Sequence, residues 1–236
     1  AKASGLDNFH NAFTGIYQAR YVGGVVAGMK LQEMIDNGEI KADEAVIGYV
    51  GAYTYAEVIS GMTSFFLGAR SVCETATMKV RYTGSWYDQG KEQEAAAALI
   101  EKDKCVLISQ HADSLGAPTA CELAGVPNVS YNGSTYSAGK NTFIVSSAIN
   151  WAPYFQYIIE CVVKGQAIDA DWCGDIATNS VVLTGINEGV AAEGTEAKIK
   201  EAVDAFKAGT LKVFATDKFT VDGKKLDQYL ADVDGD

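Results

Sequence analysis

Residues 45–50 read AVIGYV, 78–83 MKVRYT, 105–109 CVLIS and 127–131 PNVSY, four short runs rich in β-branched residues. Between them lie EVISGMTSFFLGA (57–69), DQGKEQEAAAALIEK (88–102) and LGAPTACELA (115–124). Val58, Met62, Phe65 and Ala69 recur at helical spacing in the first of these segments. Asp88 followed by Glu92 and an alanine run opens a second helix, and Gly125 stops the third. The pattern is βαβαβαβ, which predicts a parallel, doubly wound sheet with right-handed crossovers.

Working outward, residues 142–147 (TFIVSS) predict a further strand. A helix over Trp151 to Lys164 follows, with Phe155, Ile158, Ile159 and Val162 on one side and Gly165 closing it. Next come a strand at Ser180 to Thr184, a helix at Glu196 to Ala208, a strand at Leu211 to Ala215 and a polar tail rich in Asp and Lys. Ahead of the sheet, Ile16, Ala19, Val22, Val26 and Met29 mark a helix whose Gly23, Gly24, Ala27 and Gly28 allow close approach to another element. The expected division is one lobe over residues 44–147 and a second, incomplete lobe built from 1–43 and 148–236.

The chain has 236 residues, 48% hydrophobic, enough for one large α/β domain or two lobes. A net charge of −11 with scattered basic residues argues against nucleic acid as a partner. The apolar run from Val22 to Leu31 is broken by glycines and is too short to cross a bilayer. Five cysteines without a CxxC pair, and two histidines away from ligand spacing, give no metal site and call for no cofactor. An odd count leaves at least one thiol free, Cys105 reads as a core residue, and one disulfide stays open.

In open parallel sheets ligands bind beyond the carboxyl ends of the strands. Here those ends carry Tyr53, Thr54, Tyr55 and Glu57, then Ser85, Trp86, Tyr87 and Asp88, then Gln110, His111, Asp113 and Ser114. The fourth strand is followed by Asn132, Ser134, Thr135 and Tyr136, and the fifth by Asn150 and Trp151. Flat aromatic faces with a few convergent amides, carboxylates and hydroxyls suit a planar polar small molecule such as a purine, with sugars as the alternative. Asp88 reads equally as a helix cap, His111 as a satisfied loop residue, and Trp86 or Trp151 as core filling. No GxSxG, phosphate-loop, strand-borne GxGxxG or HExxH motif is present, so no catalytic residue is assigned and the chain does not read as an enzyme.

Residues 17–28 (YQARYVGGVVAG), 47–50 (IGYV), 57–62 (EVISGM) with Phe65 and 67–72 (LGARSV), 84–88 (GSWYD) and 110–114 (QHADS) together resemble the basic membrane protein family. That family comprises lipoprotein substrate-binding components of ABC transporters, many for purine bases or nucleosides. The resemblance runs from about Asn8 to Ala215 and implies a two-lobed, type I periplasmic-binding-protein-like α/β fold, each lobe with a mostly parallel, doubly wound sheet. It implies that Trp86, Asp113 and Trp151 face the ligand, with Tyr55, Glu57 and His111 nearby. Asn132 stands where many members carry an acid that holds a ribose, which leaves a free base open beside a nucleoside.

The implied partners are a small-molecule ligand and a transporter permease, outside the cytoplasm, with a lipid anchor that is absent from this chain. Riboflavin as ligand, or a regulator's sensing domain of the same fold, are the alternatives. Family members begin with several βα units ahead of Asn8, so about a hundred further residues and a separate fragment completing the first lobe are expected.

Overall fold

The structure, a computed structural model, describes residues 6, 8–215, 220–221 and 223–225. Most of the foreseen polar tail lies outside the described residues. Strand β1 (Asn11–Thr14) leads into α1 (Tyr17–Asp36), followed by β2 (Val46–Gly51), α2 (Ala56–Arg70), β3 (Thr77–Tyr82), α3 (Gln89–Glu101), β4 (Leu107–His111), α4 (Gly116–Ala124), β5 (Asn128–Tyr131) and β6 (Phe143–Ile149). Then come α5 (Ala152–Lys164), β7 (Asp171–Gly174), β8 (Val181–Leu183), α6 (Thr195–Lys207) and a small antiparallel pair, β9 (Thr220–Val221) with β10 (Lys224–Lys225).

Six strands form one sheet in the order β3-β2-β4-β5-β6-β8, with only β8 antiparallel to its neighbour. The reading of the central segment as a parallel α/β unit therefore holds. The inner strands are buried on both faces because both faces are covered. Ile47, Tyr49, Leu107 and Val129 pack with Val26, Leu31 and Phe65 of α1 and α2, whereas Val50 and Ile108 pack with Ala96, Leu99, Ala117 and Cys121 of α3 and α4. Strand β3 is an edge. Its alternate residues Lys79 and Arg81 reach Asp103, with Arg81 Nη2 2.6 Å and Nε 3.0 Å from Oδ2. Those cations hold the Asp103 carboxyl below its usual range, the Arg81 hydrogen bonds contributing most.

Helices α1 and α2 touch backbone to backbone. A Cβ on Gly24 would overlap the Phe65 carbonyl, one on Gly28 the Ala69 carbonyl, and one on Gly68 the Tyr21 carbonyl. The small residues seen in the sequence are thus a contact surface, and α1 runs on to Asp36, well beyond Met29.

The packing of the outer pieces differs from the expected grouping. Helix α1 lies on the six-stranded sheet against α2, β8 hydrogen-bonds to β6, and Phe206 of α6 joins Ile16, just ahead of α1, and Ala19 and Val22 of α1 in one apolar cluster. Their hydrophobic faces are therefore covered within the large unit rather than left for the other. Leu211 to Ala215, predicted as a strand, has no sheet partner; Val213 and Phe214 instead dock singly on that cluster, Phe214 5.3 Å from the Tyr17 ring. All five cysteines are free thiols, four buried, among them Cys105.

The second unit is small: β1 and β7 pair in parallel and α5 packs beside β7. The chain passes between the two units three times, at Gly15–Ile16, at Asn150–Trp151 and through residues 175–180. Strands β1 and β7 were not foreseen, because four-residue segments such as NAFT and DWCG carry too little periodicity. Phe155, Ile159, Val162 and Val163 of α5 point outward, Val163 79% exposed.

Candidate functional site

Parallel strands β2, β3, β4 and β5 end at one edge, and residues at or just beyond their ends build a line of rings. Tyr53 stacks on Tyr55 at 4.8 Å and 17°, and Trp86 lies 5.7 Å from Tyr53 and 6.2 Å from Tyr55. Trp86 is 6.3 Å from His111, which rests 3.9 Å from Tyr131. Aromatic contacts at these separations are attractive beyond their burial.

Two carboxylates flank the line. Glu57 stands in the first turn of α2, where the helix dipole favours negative charge. The Tyr131 hydroxyl donates to Glu57 Oε1 at 3.3 Å, and His111 Nε2 lies 3.6 Å from the same oxygen. Asp113 follows β4 and is exposed; its Oδ1 accepts from Asn132 Nδ2 at 3.0 Å, while its own N–H donates to the Trp86 carbonyl at 2.8 Å. Asn132 takes a left-handed conformation, φ 62°, common for Asn in a tight turn.

His111 is buried, with Nδ1 facing Gly61 of α2, where a Cβ would stand 2.6 Å away. Burial lowers its pKa; Glu57 opposes this and the Arg20 charge adds to it, so the ring is neutral near pH 7. Arg20, reaching from α1, is also fully buried. Its guanidinium donates to the Ser130 carbonyl, Ser147 Oγ, Tyr49 OH and Ser109 Oγ at 2.6 to 3.4 Å. It lies 4.9 Å from the Phe65 ring and 5.8 Å from that of Tyr131. One cation thus ties β2, β4, β5 and β6 directly beneath the ring line. Burial pushes the Tyr131 hydroxyl well above its usual pKa, and the Glu57 and Asp113 charges add to that.

Of the eight sequence candidates, the fold gathers Tyr55, Glu57, Trp86, His111, Asp113 and Asn132 at this edge. Asp88 is the N-cap of α3, its Oδ1 accepting from the Lys91 N–H at 3.0 Å; that bond, more than any other, holds its pKa down. Trp151 does not join Trp86. It packs with Tyr154 at 6.2 Å, and Tyr154 with Trp172 at 4.9 Å, a separate aromatic group on the small unit. Trp151 directly precedes α5 and so stands with the small unit, whereas Trp86 stands with the large sheet. Tyr53 was read only as one of the residues beyond the first strand, and Tyr131 and Arg20 were not singled out. Tyr131 lies two residues after Val129 on the same face of β5, and that alternation was the available signal. An open cavity of about 530 Å³ between Ser134, Tyr136, Phe143 and the 185–189 segment shares no residue with the ring line. Among the described residues no cluster of His, Cys, Asp and Glu is arranged to hold a metal, and no helix is long and apolar enough to cross a membrane.

Comparison with known proteins adds to this geometry. The family model for PnrA-like ABC transporter substrate-binding proteins matches residues 1–203. A Haloferax volcanii protein named for glucose binding by an ABC transporter is 34% identical over 160 residues, 67% of this chain and 38% of that protein. A Brucella abortus purine-binding protein is 28% identical over 244 residues, covering 97% of this chain and 65% of its own length. The chain therefore spans less than two thirds of either relative. Among solved structures, an ABC transporter solute-binding protein from Conexibacter woesei superposes with TM-score 0.67 at 24% identity over 87% of this chain and 65% of that one. One from Aeropyrum pernix gives 0.71 at 13% identity over 87% and 66%. A transcriptional activator of the comK gene from Bacillus halodurans gives 0.66 at 18% over 83% and 64%. These likenesses establish the fold as that of periplasmic solute-binding proteins.

Proposed function

We propose, from the premise that this chain belongs to the PnrA-like family of ABC transporter substrate-binding proteins, that it binds a purine base or nucleoside at the ring line and delivers it to a membrane permease. The family consists of binding proteins rather than enzymes. The observation that carries the ligand class is the run Tyr55, Tyr53, Trp86, His111, Tyr131 with Glu57 and Asp113 at its flanks. Stacked faces favour a flat ring, and acceptor-only carboxylates favour its N–H edge. The Brucella relative's name supports this reading. Asn132 spends one of its two amide N–H groups on Asp113, leaving the other N–H and its carbonyl oxygen, both uncharged, for a ligand, and the reading admits a free base as readily as a nucleoside.

The protein acts outside the cytoplasm in this reading, held at the membrane by a lipid anchor, with the small unit forming the opposite wall of the site. The outward face of α5 supports further polypeptide packing there. The comK-activator likeness leaves a sensing domain as the second reading, since the same fold serves both.

Calorimetry and tryptophan fluorescence against adenine, hypoxanthine, inosine, guanosine, riboflavin and glucose test the ligand class, on this chain and on any longer form of it. Purines are expected to bind and to quench emission through Trp86. A preference for glucose or riboflavin over every purine would overturn the reading. Asp113→Asn is expected to weaken purine binding by about tenfold or more, since it turns one acceptor into a donor, while the melting temperature moves by no more than about 2 °C. A large loss of stability with intact affinity would make Asp113 structural instead.

A further inference from the structure

Glu92, in the first turns of α3, is fully buried. Its carboxylate accepts from two backbone N–H groups, and the Ser114 side chain stands beside it as well. The Asp88 N–H donates to Oε1 at 3.2 Å, and the Ser114 N–H lies 3.2 Å from Oε1 and 3.3 Å from Oε2. A carboxylate buried without a cation is costly, so its two donors define what it does for the fold. One donor lies in the segment that carries Trp86, the other in the turn that carries Asp113. The same two segments share the Asp113 N–H to Trp86 carbonyl bond, and Gly116 sits so close to the Gln89 carbonyl that a Cβ there would overlap it. Loop, turn and the starts of α3 and α4 form one block, with the Glu92 side chain as its clasp.

The titratable groups facing Glu92 are Asp88, the cap of its own helix, and Asp113 across from it; Lys91 turns to Asp88 at 3.4 Å, and the turn into α4 presents Ser114 and Gly116. Burial, reinforced by the Asp113 charge, raises the Glu92 pKa against the pull of its N–H donors. A raised pKa means that the carboxyl takes up its proton at a higher pH than an ordinary glutamate. The protonated form keeps a single good acceptor for the two N–H groups that point at it.

We propose that Glu92 is a positioning residue of the ligand site: its carboxylate locks the Trp86 loop onto the Asp113 turn, and neutralising it releases both from the arrangement that holds the ligand. The inference rests on the reading of this edge as the ligand site. Two measurements keep the two ideas separable.

In a Trp151→Phe, Trp172→Phe background Trp86 is the sole tryptophan of three, and its ligand-free emission is followed from about pH 7 to about pH 5. The emission is expected to shift to the red on acidification, and to be already shifted and flat when Glu92→Gln is added. A step that survives Glu92→Gln belongs to His111 and counts against the clasp. In the protein with its native tryptophans, Glu92→Gln is expected to weaken adenine and inosine binding about tenfold or more and to abolish the loss of affinity on acidification. Unchanged affinity with only a lowered melting temperature overturns the proposal. Should Glu92→Gln fail to fold, a flat emission between the two pH values in the parent protein overturns it. If neither purine binds, the ligand reading fails while the emission still decides on Glu92.

Discussion

Gly24→Ala is expected to be the most destabilising single methyl that can be added to this chain. Helices α1 and α2 approach until a Cβ at Gly24 would overlap the carbonyl of Phe65. The obstacle is backbone, which cannot swing aside as a side chain can, so the helices must part. Parting them opens the packing of Val26, Leu31, Phe65 and Tyr49 at the centre of the sheet. Overpacking of this kind costs about 3 kcal/mol or more. For a domain of this size that corresponds to a melting temperature lowered by ~6 to 12 °C. Gly23→Ala is the control. Its Cβ would meet a Val129 methyl at 3.3 Å, which can give slightly, and alanine is the better helix former by about 1 kcal/mol. Thermal denaturation of the pair decides the matter: equal melting temperatures would mean that the helix contact is far softer than its geometry.

Trp86→Ala is expected to produce the largest loss of binding. Trp86 bridges Tyr53 and Tyr55 on one side to His111 on the other. Its removal takes away stacking surface and loosens its neighbours at once. The expected cost is about 1 to 3 kcal/mol, or ~5- to 150-fold in affinity for a purine, and Trp86→Phe should recover part of it. Trp151→Ala should cost less by itself, because Trp151 belongs to the aromatic group with Tyr154 and Trp172. Calorimetry on the three variants checks the order. Affinity that survives Trp86→Ala but falls with Trp151→Ala would move the ligand's platform to the other unit.

The central sheet was legible because its strands are short runs rich in β-branched residues and its helices carry long periodic patterns. The strand-end rule then led directly to Glu57, Trp86, His111 and Asp113, since residues just beyond parallel strands must converge at one edge. Other features were hidden for physical reasons. NAFT and DWCG pair only because the chain brings positions 11 and 171 together, and no local pattern encodes a contact across 160 residues. Leu211 to Ala215 has the composition of a strand, yet it pairs with none among the described residues, and its apolar residues dock singly on the cluster around Ile16, Val22 and Val181. Arg20 reads as a polar interruption in an apolar helix; only the assembled sheet shows four oxygens gathered to receive it. Glu92 reads as a surface glutamate of an alanine-rich helix, and its burial follows from how α4 closes over the start of α3.

Lys79 and Arg81 on the edge strand β3 bear on a hazard of every open sheet, aggregation. The outer side of β3 carries backbone donors and acceptors on which a strand of another molecule could add. Such an added strand would have to settle beside two cations held in place by Asp103 and strip away their water. The opposite edge is the three-residue β8, too short to seed a ladder. Between a charged edge and a short one, the sheet has little means of growing from molecule to molecule.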